Sequence, residues 1–196
     1  VNRSVLLDGS GGTFEVTGSA SNILTVSGVI SGHEGAVLNK IGVGILELTA
    51  ANLYQANTLI SAGELRIGDG GTTGSFGTGG VVLSGGSLAF NRSDAHTVSN
   101  NITGTGPVRQ IGSGTTSLSG TNNYVGITSV NSGVLQFTQQ VSLYNNNQAN
   151  WTATNLVVEA GAVAAFNVGG LGEFTAADIN VIKALGTATG GFKTGS

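Results

Sequence analysis

Apolar residues recur in pairs two positions apart along most of the chain: Leu24/Val26, Leu46/Leu48, Leu65/Ile67, Leu88/Phe90 and Leu135/Phe137. A polar or small residue separates the members of each pair, and Gly, Ser, Asn or Thr bounds it. A period of two with that punctuation predicts very short strands with one buried face. Such strands build either an antiparallel sandwich or a coil of parallel strands, and the corners decide between them. Tight reversals favour Asn-Gly or Asp-Gly between matched strands. Asp8-Gly9 and Asp69-Gly70 are of this kind, but most corners are single glycines or Gly-x-Gly runs, which suit bends in a continuing coil. The period changes once. Thr175 is placed to cap a helix over residues 176–185, Asp178 to complete a capping box and Phe174 to staple against Ile179. Ile179, Ile182 and Leu185 share a face, and Gly186 ends the run.

The chain repeats itself. Residues 41–54, from Ile41-Gly-Val-Gly to Asn52-Leu-Tyr54, recur as residues 111–124, from Ile111-Gly-Ser-Gly to Asn122-Asn-Tyr124, 70 positions on. In the same register Thr58, Gly63 and Leu65 become Thr128, Gly133 and Leu135. Upstream, Ile30-Ser31-Gly32 reappears as Ile102-Thr103-Gly104, offset by 72, so the second copy is two residues shorter there. We read residues 1–196 as a single solenoid domain with repeat units at 22–91 and 94–167, and residues 173–186 as a helical cap or flank. A 70-residue unit divides into three turns of about 23 residues, the scale of a β-solenoid rung. The expected fold is all-β: a right-handed parallel β-helix of about eight rungs, roughly 40 Å long at ~4.8 Å per rung. Outward positions are expected to carry Ser, Thr and Asn.

Composition narrows the reading. Charged residues are 9 % of the chain and 34 of 196 residues are Gly, against usual shares of roughly 25 % and ~7 %. With 39 % apolar residues there is too much to bury for a disordered polymer. A net charge of −3 leaves no basic footprint for nucleic acid or anionic lipid. There is no cysteine, hence no disulfide, thiolate nucleophile or Cys-type zinc site. No apolar run approaches the ~18 residues of a membrane-spanning helix. The chain has no methionine, so Val1 is read as internal to something longer.

Candidate chemistry is sparse. Parallel coils host polysaccharide lyases and hydrolases, whose sites need two or more carboxylates, or a basic residue, converging on one groove. Here the acids are dispersed singly. Only Arg92, Asp94 and His96 alternate so as to share a face, and His96 falls where the earlier copy has core-facing Leu24; the expected reading is a surface ion pair beside a half-buried histidine. His33-Glu34 lies in the insertion of the first copy and reads as a solvated loop. Asp69 falls short of an iterated calcium motif, and Gly112-Ser-Gly114 lacks the helix and acid of a dinucleotide site. Sequons begin at Asn2, Asn91, Asn101 and Asn150. Trp151, beside the Asn-rich run 145–148, shields a core edge or anchors a sugar or partner. No catalytic, cofactor-binding or metal residue is assigned and no cofactor is expected.

The motif Gly42-Val-Gly-Ile-Leu-Glu-Leu, continuing through Asn52-Leu-Tyr54 and Thr58-Leu-Ile-Ser-Ala-Gly-Glu-Leu-Arg-Ile67, resembles the autotransporter-associated β-strand repeat, and residues 112–137 resemble it again. The resemblance implies a right-handed parallel β-helix exported to the surface of a Gram-negative-type bacterium, secreted or associated with the outer membrane. The function expected is structural: display, adhesion or self-association into filaments or matrix. The partners are then other copies of the chain or surface and matrix components, with glycans possible and nucleic acid not. The alternative is a carbohydrate-binding protein or carbohydrate-active enzyme on the same scaffold, and a passive stalk is a third reading.

Overall fold

The computed structural model describes residues 1–186 and 191–192. Every pairing between its strands is parallel. Three long faces wrap one shaft, with seven, six and four strands. The seven-strand face runs from Ile23–Val26 to Leu156–Val158, the six-strand face from Gly12–Glu15 to Asn123–Tyr124, and the four-strand face from Ala95–Val98 to Val163–Phe166. The fold is the expected parallel β-solenoid. Its strands are three or four residues long where the apolar pairs predict them, because each pair points inward and stacks on its neighbours. On the seven-strand face Val26, Leu48, Ile67, Phe90, Gln110, Val130 and Val158 form one such buried column, apolar but for Gln110.

The number of turns differs from the expectation, and the register explains it. Leu38 stacks in line with Thr58, Val81 and Ile102, three turns later on the six-strand face. Its repeat equivalent, however, is Val108, which lies on the seven-strand face. One repeat therefore advances the coil by three turns and one face, at about 21 residues per turn, so equivalent residues of the two copies face different directions. The coil makes about six turns, not eight. Chain is spent instead on three 3-10 turns, Gln140–Ser142, Tyr144–Asn146 and Gln148–Asn150, and on the C-terminal helix α1 (Ala176–Leu185). Tyr144, Asn145 and Asn146 all take left-handed backbone angles, a conformation that asparagine tolerates better than most residues, which accounts for the Asn-rich run.

Not every inward position is apolar, contrary to the expectation that Asn and Thr face out. Asn52 and its equivalent Asn122 are buried, and each ties three turns together. Asn52 Oδ1 accepts from Ile30 N at 2.8 Å while Nδ2 donates to Ser75 O at 2.7 Å. Asn122 does the same with Ile102 N at 3.0 Å and Ser142 O at 2.9 Å. Tyr54 and Tyr124 are fully buried, with their hydroxyls 2.7 Å from those of Thr58 and Thr128. Lys40 and its equivalent Gln110 lie wholly inside and donate to corner carbonyls: Lys40 Nζ to Ile41, Gly42 and Ala62, Gln110 Nε2 to Gly112 and Gly114. A tight coil bend leaves carbonyls pointing inward that must find a donor. Burial holds the Lys40 ammonium below the ordinary lysine range.

At the C-terminal end Phe174 is fully buried between Phe166 and Trp151, with ring centroids 5.0 and 5.8 Å away. Trp151 is 3 % exposed and shields the core edge. Helix α1 follows, bounded as the sequence predicts: Thr175 accepts from Asp178 N, and Gly186 is the C-cap. Asp178 also accepts from Gln140 and Gln148, each at 2.7 Å, which ties the helix to the 3-10 segment and seals the last rung. Burial acts to raise the Asp178 carboxyl, but the hydrogen bonds from Thr175, Gln140 and Gln148 outweigh it and hold the group below its ordinary value.

Candidate binding surface

On the seven-strand face one outward column reads Thr25, Glu47, Arg66, Ala89, Arg109, Ser129, Val157. The coil sets two acids of successive turns, Glu47 and Glu64, side by side and places two arginines beside them. Arg66 Nη2 lies 2.8 Å from Glu64 Oε1 and Nη1 lies 3.6 Å from Glu47 Oε2. Arg109 Nη1 lies 3.0 Å from Glu64 Oε2, and Thr25 donates to Glu47 Oε1 at 3.0 Å. All four carboxylate oxygens are engaged by a cation or a hydroxyl. Such a ladder fixes the register of successive turns and leaves neither acid free for acid–base work.

Arg92, Asp94 and His96 are together, but not around a substrate. Arg92 makes a two-pronged contact with Asp94, at 2.9 and 2.7 Å, and donates to Gly74 O at 2.7 Å and Thr72 O at 2.6 Å, so it clamps the 69–74 loop to the coil. The Arg92 hydrogen bond holds the Asp94 carboxyl below its ordinary value. His96 turns inward, stacked in register with Thr116 and Leu135 and 5.8 Å from the Phe90 ring. Both ring nitrogens are buried without a hydrogen-bond partner. Desolvation, with the Arg92 charge adding to it, pushes the His96 pKa down to about 4. The geometry is that of an ion pair beside a half-buried neutral histidine.

The other sequence candidates are corner features. Asp69 Oδ1 accepts from Gly71 N in its own turn, Gly112 and Gly114 supply the carbonyls that Gln110 caps, and among the described residues no three His, Asp or Glu side chains are grouped to hold a metal ion. A cavity of about 290 Å³ lies between α1 and the last rung, lined by Phe166, Ile179, Ile182 and Phe192 among others. A larger open groove of about 510 Å³ sits at the corner before the six-strand face, lined by Glu34, Val37, Gln55, Ala56, Asn57 and Thr78. Glu34 belongs to the inserted corner that the sequence marks as a loop. Gln55, Asn57 and Thr78 carry no recognisable motif. Their signal in the sequence is the contrast between copies, because Gln55 and Asn57 correspond to Val125 and Ile127.

The family model of the passenger-associated-transport-repeat matches the chain twice, at residues 38–67 and 108–137. The matches cover the two sets of buried Asn, Tyr and Thr pins and the corners capped by Lys40 and Gln110. The chain is also similar to the adhesin BmaC autotransporter of Brucella suis biovar 1 (strain 1330), with 36 % identity over 149 residues. That alignment covers 60 % of this chain and 4 % of the relative, so the chain spans a small fraction of the protein it resembles. No solved structure matches.

Proposed function

Since the chain is an autotransporter-associated repeat protein carrying two passenger-associated-transport-repeats on a parallel β-solenoid, we propose that it is a non-enzymatic passenger segment, exposed on or released from the surface of a Gram-negative-type bacterium, that serves adhesion and display. The observation that carries this reading is the use of its polar groups. The buried ones pin turn to turn, and the ion pairs on the seven-strand face neutralise one another, so the chemistry is spent on holding a stiff rod with a long lateral surface. Similarity to a protein named an adhesin supports the same reading. Outer-membrane association and self-association belong to the proposal.

The test is to display the segment on a non-adherent host bacterium and count attachment to host cells and matrix-coated surfaces. Attachment above that of the undisplayed host, competed by soluble segment, is the expected result; no gain in attachment overturns the adhesive reading. Sedimentation velocity across a concentration series tests the self-association separately. A larger species that grows with concentration is expected, and a monomer at every concentration contradicts it.

A further inference from the structure

The corner groove brings together four polar side chains from three successive turns. Glu34 comes from the inserted corner. Gln55 and Asn57 come from the next turn, where Gln55 N bonds Gly32 O at 3.0 Å, and Thr78 from the turn after, where Thr78 N bonds Tyr54 O at 2.9 Å. Two steps of the coil give an axial reach of about 10 Å, room for one or two pyranose rings, and the volume falls within the usual range for ligand sites, about 300–1,000 Å³. Some surface amides elsewhere are spent on the coil: Gln136 accepts from Ser117 and donates to Asn167, and Asn100 donates to Gly77 and Gly79. The groove keeps free donors and acceptors. Among the described residues the Asn57 Oδ1 accepts from Gly80 N at 2.9 Å, which fixes the amide and leaves Nδ2 free, and the side chains of Glu34, Gln55 and Thr78 have no intramolecular partner.

The second copy shows that the scaffold does not require this arrangement. At the equivalent corner three residues, 105–107, replace the five at 33–37, and the positions of Gln55 and Asn57 hold Val125 and Ile127, 51 and 48 % exposed. The same coil thus accommodates apolar residues where the first copy gathers donors and acceptors. We infer that the groove formed by Glu34, Gln55, Asn57 and Thr78 is a binding site for a neutral glycan. A carboxylate accepts hydroxyl hydrogens, the amides and the hydroxyl both donate and accept, and Val37, 36 % exposed, offers a small apolar patch to the C–H face of a sugar ring. No lining residue is cationic, so the Glu34 charge selects against sialylated or uronic sugars. This inference deepens the adhesive reading by naming the ligand class.

The probe is an array of immobilised neutral hexose oligosaccharides beside sialylated and uronic ones, read with the purified chain. Retention on neutral glycans and exclusion of acidic ones is expected. The double variant Gln55→Val with Asn57→Ile, which imports the residues of the second copy, should keep its circular dichroism and melting temperature while its binding weakens by about tenfold, as two lost hydrogen bonds imply. Glu34→Gln, which preserves shape, should weaken neutral binding and relax the exclusion of acidic sugars. No retention of neutral glycans, equal retention of acidic ones, or unchanged binding by the folded double variant overturns the inference. Attachment of displayed cells that survives the double variant removes the groove and leaves the adhesive reading; glycan retention without attachment does the reverse.

Discussion

At the residue scale the two copies are an internal control on what each buried polar group contributes. Thr58 has one hydroxyl partner, Tyr54, whereas Thr128 has Tyr124 and also Tyr144 at 2.9 Å. Tyr54→Phe should therefore destabilise the chain by about 1–2 kcal/mol and Tyr124→Phe by less, because only the first strands a buried hydroxyl; denaturant melts of the two variants measure the difference. His96 carries a pH dependence. Its folded pKa of about 4 lies below the ordinary 6.5, so the unfolded chain binds more protons between those values. Its contribution is complete above about pH 6.5 and is lost as the pH falls towards 4. The full shift would be worth about 3 kcal/mol, which partial exposure reduces to about 1–2 kcal/mol. Melts at pH 7 and pH 4 should show that His96→Leu, the residue of the earlier copy, removes this part of the acid sensitivity; an unchanged pH profile contradicts the assignment. The sequence shows where these residues are but not which way they face. Asn52, Tyr54 and Thr58 repeat as Asn122, Tyr124 and Thr128, yet Asn and Thr are equally at home on a wet surface, and only the register puts them inside.

At the element scale the strands and the one helix were legible because their signals are local. Alternating apolar pairs place the strands within a residue or two, and Thr175, Asp178 and Gly186 bound α1 as its capping chemistry requires. Asp178→Ala should cost more than the ~1 kcal/mol usual for a lost cap, since the bonds to Gln140 and Gln148 go with it; hydrogen exchange should then rise in α1 and in residues 138–150 together. The corners are stricter than their composition suggests. Gly63 has φ +66 and an added Cβ would lie 2.3 Å from Gly44 O, whereas Gly161 has φ +82 with nothing within 4 Å. Gly63→Ala should therefore lower stability by more than 3 kcal/mol, from about 1 of left-handed strain plus a backbone collision, and Gly161→Ala by only about 1 kcal/mol. Equal melting temperatures for the two variants would refute the close stacking of corners.

At the scale of the whole molecule the parallel coil was legible from repetition and corner chemistry, but its pitch was not. A 70-residue period looks like a whole number of turns until Leu38 is found in line with Ile102 while its equivalent, Val108, begins the next face. Because of that offset the two copies present their corners in different directions, and the corner groove of the first copy is not duplicated along one side. The lining of that groove was illegible for the same reason: Glu34, Gln55 and Thr78 are neighbours only through the winding. The winding is thus what the lateral surface and every site on it depend on, and the absence of native cysteine makes it directly measurable. Cysteines introduced by pairs at Asn39 and Leu59, and at Ser117 and Gln136, stand side by side on adjacent parallel strands, a separation of about 4.8 Å that lies within disulfide range. Oxidation should close both intramolecular disulfides with the β-sheet circular dichroism intact, while Ser117→Cys paired with Leu135→Cys, one residue out of register, stays reduced. Failure of both stacked pairs to close in folded protein, or closure of the off-register pair, would contradict the coil.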